Sequence, residues 1–427
     1  MLTAPRARRG RAPARARRAA LLLALAVPAA GLLGIPAAGA AAQDVGQQAR
    51  SADLAVLRAM RVPAAWRASR GSGVTVAVLD TGADPAALDL PGVVTTGPDY
   101  TRGADPAGYQ PPHLHGTYIA SLIAGRGNGP GRAEGVIGVA PQARILSVRV
   151  ILDDSEPGFG VYNENADYYD AIASGIRYAV RHGASVINMS LGSTVATRSM
   201  RQAIGFAVSR NVVVVAAAGN DGQSGGRYTP YSYPASFSGV ISVAAVSAGG
   251  QRASFSDQNS SVVISAPGVG VVGDGPGRAY LRGSGTSPAS ALVAGVAALI
   301  RSKYPRLSPA LVTQAIVGSA RRVPHRGYST ATGFGEADAA AALARAGRLA
   351  GQAARPAGLA AGAHFGGGPA GPVVVVPRDL ARIAATSAIA AAALLCFVAT
   401  VIALTVRRRR RRAAARRPAR LAPPAAP

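Results

Sequence analysis

Between residues 54 and 345 short apolar runs alternate with stretches of helical period, and this alternation predicts an α/β fold. The runs at 74–79, 145–150, 186–189, 212–217, 240–246 and 262–264 are rich in β-branched residues and bounded by turn formers, as strands buried on both faces are. Apolar positions recur at helical spacing over 115–124, 167–181, 199–209, 287–302 and 309–320. Helices placed between and after such strands predict a doubly wound, mostly parallel sheet with helices on both faces. Ligands of these sheets sit beyond the carboxyl ends of the strands, which is where chemistry is sought.

The two ends of the chain depart from this pattern. An arginine-rich start, an apolar run at 19–35 and the small residues of 37–42 have the layout of a secretory signal peptide over 1–42, with cleavage after Ala40 or Ala42. Residues 43–61 are too few for a large independent propeptide domain and are read as an extension packing on a domain at 62–346. Over 347–379 Gly, Ala and Pro dominate and periodicity is lost, which predicts a linker. The 24 residues of 383–406 are uncharged and apolar, enough as a helix to cross a bilayer core of roughly 30 Å, so 380–406 is expected to be one C-terminal transmembrane helix. Six arginines follow at 407–412 and open a basic tail over 407–427. Arginines beside a span favour the cytoplasmic side, so the larger part is expected outside the cell and the tail inside.

The formal net charge of +26 alters little once its location is known. Seven arginines lie in 1–18 and nine in 407–420, and setting these 16 aside leaves about +10. The rest is almost all arginine, with Lys303 the only lysine, a compositional bias rather than a binding face, so no nucleic-acid partner is expected. Cys396, the single cysteine, lies in the predicted span, which excludes intrachain disulfides and thiol chemistry at a soluble site.

Four motifs carry chemistry. The strand at 74–79 runs into Asp80-Thr81-Gly82, placing a carboxylate where an orienting acid would sit. An aspartic-peptidase reading needs a second such carboxylate, and no second Asp-Thr-Gly or Asp-Ser-Gly occurs. His115-Gly116-Thr117 opens an apolar helix and supplies an imidazole that can take and return a proton near neutral pH, whereas His113 reads as a surface loop residue. Gly285-Thr286-Ser287-Pro288 puts a serine at a helix start, Pro288 suiting the first helical position, with the Ser287 amide directed at developing negative charge. Ala218-Gly219-Asn220 ends the strand at 212–217 in a turn that presents a carboxamide donor. Taken singly, Asp80 and Asn220 suit ordinary turns and Ser287 a plain helix cap. The run Gly268-Val269-Gly270-Val271-Val272-Gly273 matches a dinucleotide fingerprint, but Asp274-Gly275-Pro276-Gly277 cannot open the helix that the pyrophosphate needs. No cofactor is expected.

In this order, Val-Ala-Val-Leu-Asp80-Thr-Gly, His115-Gly-Thr, Ala-Gly-Asn220 and Gly-Thr-Ser287 resemble the subtilisin family over about residues 62–343. The resemblance implies the subtilase fold and a serine endopeptidase in which Ser287 attacks a peptide carbonyl, His115 relays the proton, Asp80 orients the imidazole and Asn220 holds the oxyanion. It further implies that Ser190, Leu191 and Gly192 line the substrate, which can add as an extra strand, with a polypeptide as substrate. The layout with signal peptide, Val62-Pro63-Ala64-Ala65-Trp66, linker, span and basic tail resembles the mycosins, membrane-anchored subtilases associated with type VII secretion in actinobacteria.

Departures are Tyr118 where subtilases commonly carry a second His, and Pro288 and Ala291 where they commonly read Gly-Thr-Ser-x-Ala-x-Pro. The mycosins often carry disulfides, which this chain cannot form. Two rival functions remain open, a catalytically silent scaffold that docks to a membrane secretion complex and a lipid-active hydrolase, the latter lacking the Gly-x-Ser-x-Gly elbow because residue 289 is Ala. Residues 153–156, Asp-Asp-Ser-Glu, read as a solvated loop rather than a calcium site, so no metal is expected.

Overall fold

The computed structural model describes residues 40–223, 229–353 and 380–414. The expected signal peptide up to residue 39, most of the linker and the end of the tail lie outside the described residues. The elements in chain order are α1 (Ala40–Ala59), α2 (Val62–Ala65), β1 (Thr75–Asp80), β2 (Val94–Asp99), α3 (Leu114–Ala124), β3 (Arg126–Asn128), β4 (Glu134–Ile137), β5 (Arg144–Arg149), α4 (Phe159–Glu164), α5 (Ala171–Arg181), β6 (Val186–Met189) and α6 (Arg198–Ser209). There follow β7 (Val213–Ala217), β8 (Val240–Val246), β9 (Ile264–Pro267), β10 (Val271–Asp274), β11 (Tyr280–Gly283), α7 (Thr286–Lys303), α8 (Pro309–Val317), α9 (Ala339–Ala353) and α10 (Leu380–Ala414).

Seven strands form one parallel sheet in the order β2-β5-β1-β6-β7-β8-β9. Alternate residues of each strand feed two cores. Val76 and Val78 of β1 and Val213 and Val215 of β7 join the apolar residues of α3, α7 and α8, whereas Ala77, Leu79, Val214 and Ala216 join those of α5 and α6. Strands with cores on both faces must be apolar at every position, which is why β1 and β5 to β8 were legible as apolar runs. β2 was not. It is an edge strand of sequence Val-Thr-Thr-Gly-Pro-Asp with a largely accessible surface, and Pro98 is tolerated there because an edge leaves backbone donors unused.

Some predicted boundaries move. The expected helix at 167–181 begins at Ala171 after a single 3-10 turn, and α8 stops at Val317. α7 begins at Thr286, so Pro288 is its third residue rather than its first; no residue of a first helical turn needs its own N–H for an intrahelical bond, so the proline costs nothing there. α9 carries helix to Ala353, into the stretch read as linker, because alanine and arginine are strong helix formers and Gly351 is exposed. For the same reason α10 continues through the arginines to Ala414. As a unit by itself, α10 holds 25 residues, Ala384–Arg408, long and apolar enough to cross a membrane.

The extension is a helix that lies against β4 and β10. Ala49, Asp53, Leu57 and Met60 form its buried stripe at a spacing of three and four, and the acid in that stripe hid the periodicity from the sequence. The Ile137 amide donates to Asp53 Oδ2 at 2.9 Å, and Arg50 Nη2 donates to the carbonyls of Arg132 at 3.0 Å and Glu134 at 2.7 Å. Beneath it Asp89 Oδ2 accepts from the Val136 amide and Asp274 Oδ2 from the Asp89 amide, both at 2.6 Å. Burial pushes Asp53 and Asp274 up to about 8 and Asp89 up to about 6, and repulsion from Asp89 adds to the rise at Asp53 and Asp274.

Carboxyls whose folded values are raised bind protons that the unfolded chain releases, so their contribution favours folding at low pH and declines as pH rises from about 4 through about 8. Asp53→Asn keeps an acceptor for Ile137 without a charge to bury. Urea unfolding between pH 4 and 8.5 is expected to show the variant gaining at least about 1 kcal/mol over the parent at the alkaline end, one pKa unit being worth 1.36 kcal/mol. Parallel profiles for the two proteins would refute this account of the extension.

Candidate active site

Asp80 is the last residue of the central strand β1, and His115 the second residue of α3. Three polar groups of Thr81 bring these ends together. Its amide donates to Asp80 Oδ1 at 2.8 Å, its hydroxyl accepts from the Gly116 amide at 3.1 Å, and its carbonyl accepts from His113 Nδ1 at 2.7 Å. Thr117 adds a fourth tie, its hydroxyl donating to the His113 carbonyl at 2.6 Å and accepting from the Asp84 amide at 2.9 Å. Gly116 meets the backbone of Gly82 so closely that a side-chain carbon would collide with the Gly82 carbonyl. The glycine of His-Gly-Thr is therefore a packing requirement. His113 is not a free surface residue but half-buried, its ring against Gly82, because α3 starts from it in the left-handed conformation.

Within this frame His115 Nδ1 donates to Asp80 Oδ1 at 2.7 Å, with Asp80 fully buried and His115 nearly so. That bond fixes the neutral tautomer with Nε2 as the acceptor. Burial opposes charge on the imidazole, but Asp80 through charge and hydrogen bond, joined by Asp153, outweighs it and holds His115 above its ordinary value of 6.5. Burial in turn pushes the Asp153 carboxyl up, and its neighbours are His115 and Asp80.

The acidic stretch is solvated only at Asp154 and Ser155, while Asp153 is half-buried and Glu156 buried. Arg149 ends β5 with its guanidinium buried, and it draws in Glu156 at 2.5 Å, Asp105 at 2.9 Å and Asp99 at 3.1 Å, which folds the segment after β5 back over the carboxyl edge. An arginine closing an apolar strand was the signal for buried acids nearby.

Ser287 is the second residue of α7, a helix buried from Thr286 to Arg301. Its hydroxyl donates to the Ser190 carbonyl at 3.3 Å. The Ser190 hydroxyl donates to the Ser287 carbonyl at 3.1 Å and meets Ser290 Oγ at 3.0 Å, so the end of β6 and the start of α7 are stitched together. Among the described residues no hydrogen bond joins His115 to Ser287; α3 and α7, which carry them, pack against each other. Catalytic hydrogen bonds are often loose before substrate binds.

Thr286 fixes the carboxamide of Asn220. Its amide at 2.9 Å and hydroxyl at 3.0 Å both donate to Asn220 Oδ1, which fixes the amide's orientation with Nδ2 beside Gly285. Ser190, Leu191, Gly192, Asn220 and Ser287 line one cleft of about 530 Å³. Past Gly192 the backbone of Ser193 is already paired with Tyr233, at 2.9 and 2.7 Å, so a peptide adding here meets a segment held in extended form.

Tyr118 fills the place of the second histidine by packing its ring on Gly273 and Gly283 and donating its hydroxyl to the Val271 carbonyl at 3.0 Å. The segment resembling a dinucleotide fingerprint is β10 of a hairpin. Among the described residues no group of three His, Cys, Asp or Glu is placed to hold a metal ion. Sequence reasoning missed Thr81, Thr286 and Asp153 as parts of the site, although both threonines stand inside the motifs.

The structure thus places a carboxylate bonded to an imidazole at the edge of a parallel sheet, and a serine at a buried helix start with a carboxamide held by its neighbour Thr286. Residues 71–335 match the Subtilase family of peptidase S8, and the chain belongs to that family. It is 38% identical over 271 residues to subtilisin DY of Bacillus licheniformis, covering 62% of this chain and 86% of the relative. To thermitase of Thermoactinomyces vulgaris it is 38% identical over 244 residues, 57% and 80% of the two chains. Among solved structures it resembles MycP1 from Mycobacterium smegmatis, with TM-score 0.58 and 28% identity over 68% of this chain and 84% of that one. It also resembles the MycP3 protease from the type VII (ESX-3) secretion system, with TM-score 0.56 and 33% identity over 68% and 87%. The fold is subtilisin-like and resembles the mycosin structures, and the protein is a serine endopeptidase.

Because Asp80 and Asp153 together hold the His115 proton, an NMR titration of the folded protein is expected to place the imidazole above 6.5, and Asp153→Asn to move it down. The charged imidazole stabilises the fold most below 6.5, and that contribution is lost as pH rises through the folded value. An unchanged titration in the variant would remove Asp153 from the account.

Proposed function

We propose that hydrolysis proceeds through an acyl-enzyme on Ser287. His115 Nε2 takes the Ser287 proton as the hydroxyl attacks the peptide carbonyl, Asp80 holds the imidazole in the reactive tautomer and stabilises its charged form, and Asn220 Nδ2 with the Ser287 amide donates to the oxyanion. His115 then gives the proton to the leaving amine, and water releases the acyl group by the same path in reverse. Ser190, Leu191 and Gly192 carry the substrate backbone. The observation that bears most of this reading is the 2.7 Å bond from buried His115 to buried Asp80.

In the same reading residues 1–42 are a signal peptide removed on export, α10 anchors the protein in the cell membrane by a single pass, the peptidase domain faces outward and the arginine tail stays in the cytoplasm. The 25-residue apolar segment of α10 supports the anchor, and the likeness to MycP1 and MycP3 supports a link to type VII secretion. One observation favours the rival scaffold without catalysis: the Ser287 hydroxyl is turned to the Ser190 carbonyl.

Labelling of the full-length protein with a fluorophosphonate probe decides between them. Label mapped to Ser287 and absent from Ser287→Ala is the expected result, and folded protein that takes no label establishes the scaffold. Asn220→Ala is expected to keep the label but lower kcat about 100- to 1,000-fold, the magnitude known for losing one such donor in a subtilisin.

A further inference from the structure

An acyl group on Ser287 with its oxygen at Asn220 leaves little choice for the side chain of the residue that supplies it. That side chain must enter the cavity adjoining both, which is the cleft of about 530 Å³ whose wall includes Asp257. Asp257 is 1% exposed. Among the described residues no arginine, lysine or histidine forms an ion pair with it. A buried carboxylate in a substrate cleft that forms no ion pair among the described residues is costly, and a cation supplied by a ligand would offset that cost.

We propose that this cleft receives the side chain on the acyl side of the scissile bond and that Asp257 selects lysine or arginine there, an inference that rests on the serine-peptidase reading above.

The surroundings fit that role. The Asp257 amide donates to the Gly219 carbonyl at 3.0 Å and Asp257 Oδ1 accepts from the Asp221 amide at 2.8 Å, so the acid clasps the turn on both sides of Asn220. Its second oxygen lies against Gly219, where φ is +116° and any side chain would collide with it; the bare glycine keeps the carboxylate at the cleft wall. Asp221, on the rim of the same cleft, adds a second negative charge. Among the described residues the charged groups facing Asp257 are Asp221, which opposes its ionisation, and Arg252, which favours it, and a hydrogen bond from the Thr229 side chain favours it as well. Arg252 directs Nη1 at the carbonyls of Ala253, Ser254 and Ser256 instead of the carboxylate. Burial first and Asp221 second push the Asp257 carboxyl up to about 7, so a cation entering the cleft meets an acid that ionises in response.

Asp257→Asn separates charge from structure, because the amide oxygen still accepts from Asp221. Paired peptides differing only in lysine, arginine, leucine or phenylalanine at the acyl position would be assayed with the full-length protein, alongside fluorophosphonate labelling of Ser287. The wild type is expected to favour the basic peptides in kcat/KM by about tenfold to a hundredfold, the worth of one charge-assisted hydrogen bond. Asp257→Asn is expected to lose that preference, the ratio of kcat/KM for basic over neutral peptides falling to about one. Between pH 6 and 8 the basic-to-neutral ratio should climb in the wild type and stay flat in the variant, since titration of His115 affects both peptides alike. Labelled enzyme that cleaves neutral peptides equally or better overturns the inference and leaves the peptidase reading standing, and the wild-type ratio alone decides this should the variant fail to fold. An unlabelled Ser287 overturns the reading beneath it.

Discussion

The site depends on one close approach, the backbone of Gly82 against Gly116. Asp80 and His115 are 35 residues apart and belong to a strand and a helix, so their 2.7 Å bond exists only if the carboxyl end of β1 and the start of α3 nearly touch. Two residues without side chains make the approach sterically allowed, and the polar groups of Thr81 and Thr117 satisfy the backbone groups that it buries. A carboxylate with no exposure would otherwise be expelled to solvent or protonated. Parallel pairing of β1 with both β5 and β6 fixes where that edge lies, since each flanking strand holds β1 in register.

The second half of the site follows from a different constraint, the burial of α7. A helix enclosed on every side cannot slide or rotate without disturbing both sheet and neighbouring helices, so its first turn is placed as firmly as a core residue. Gly295 seats it on Val139, where a side-chain carbon would collide, and the Ser190, Ser287 and Ser290 hydroxyls tie its start to the end of β6. Ser287 is thereby positioned by packing, and the turn holding Asn220 is then hung from the same helix through Thr286. Three separate loops converge because each is anchored to one rigid element.

These causes explain what was legible in the sequence. Strands buried on both faces announce themselves as apolar runs, so the fold could be read, and glycines within two residues of Asp80, His115, Asn220 and Ser287 mark places where the backbone must come close. The edge strand β2 carries threonine, glycine and proline and leaves no apolar trace. α1 escaped because Asp53 interrupts its buried stripe, and the hairpin β10 with β11 because its glycines serve the Tyr118 ring rather than a turn. Asp153 and Asp257 lie far along the chain from the groups they face, at positions where an acid reads as solvated unless the fold is known. Long-range electrostatics has no periodicity for a sequence to display.

The net charge of the chain and the acids that line its cleft have opposite signs. The total of +26 comes in large part from arginines near the two termini, whereas Asp221 and Asp257 share one small cavity with Ser287. At physiological ionic strength a charge is screened beyond about 8 Å, so an approaching side chain answers to the groups that line the cleft rather than to the net charge of the chain. Low dielectric in the cleft strengthens that local field further. A basic protein can therefore present an acidic specificity pocket, and its net charge carries information about the surfaces it sits on rather than about the peptides it cleaves.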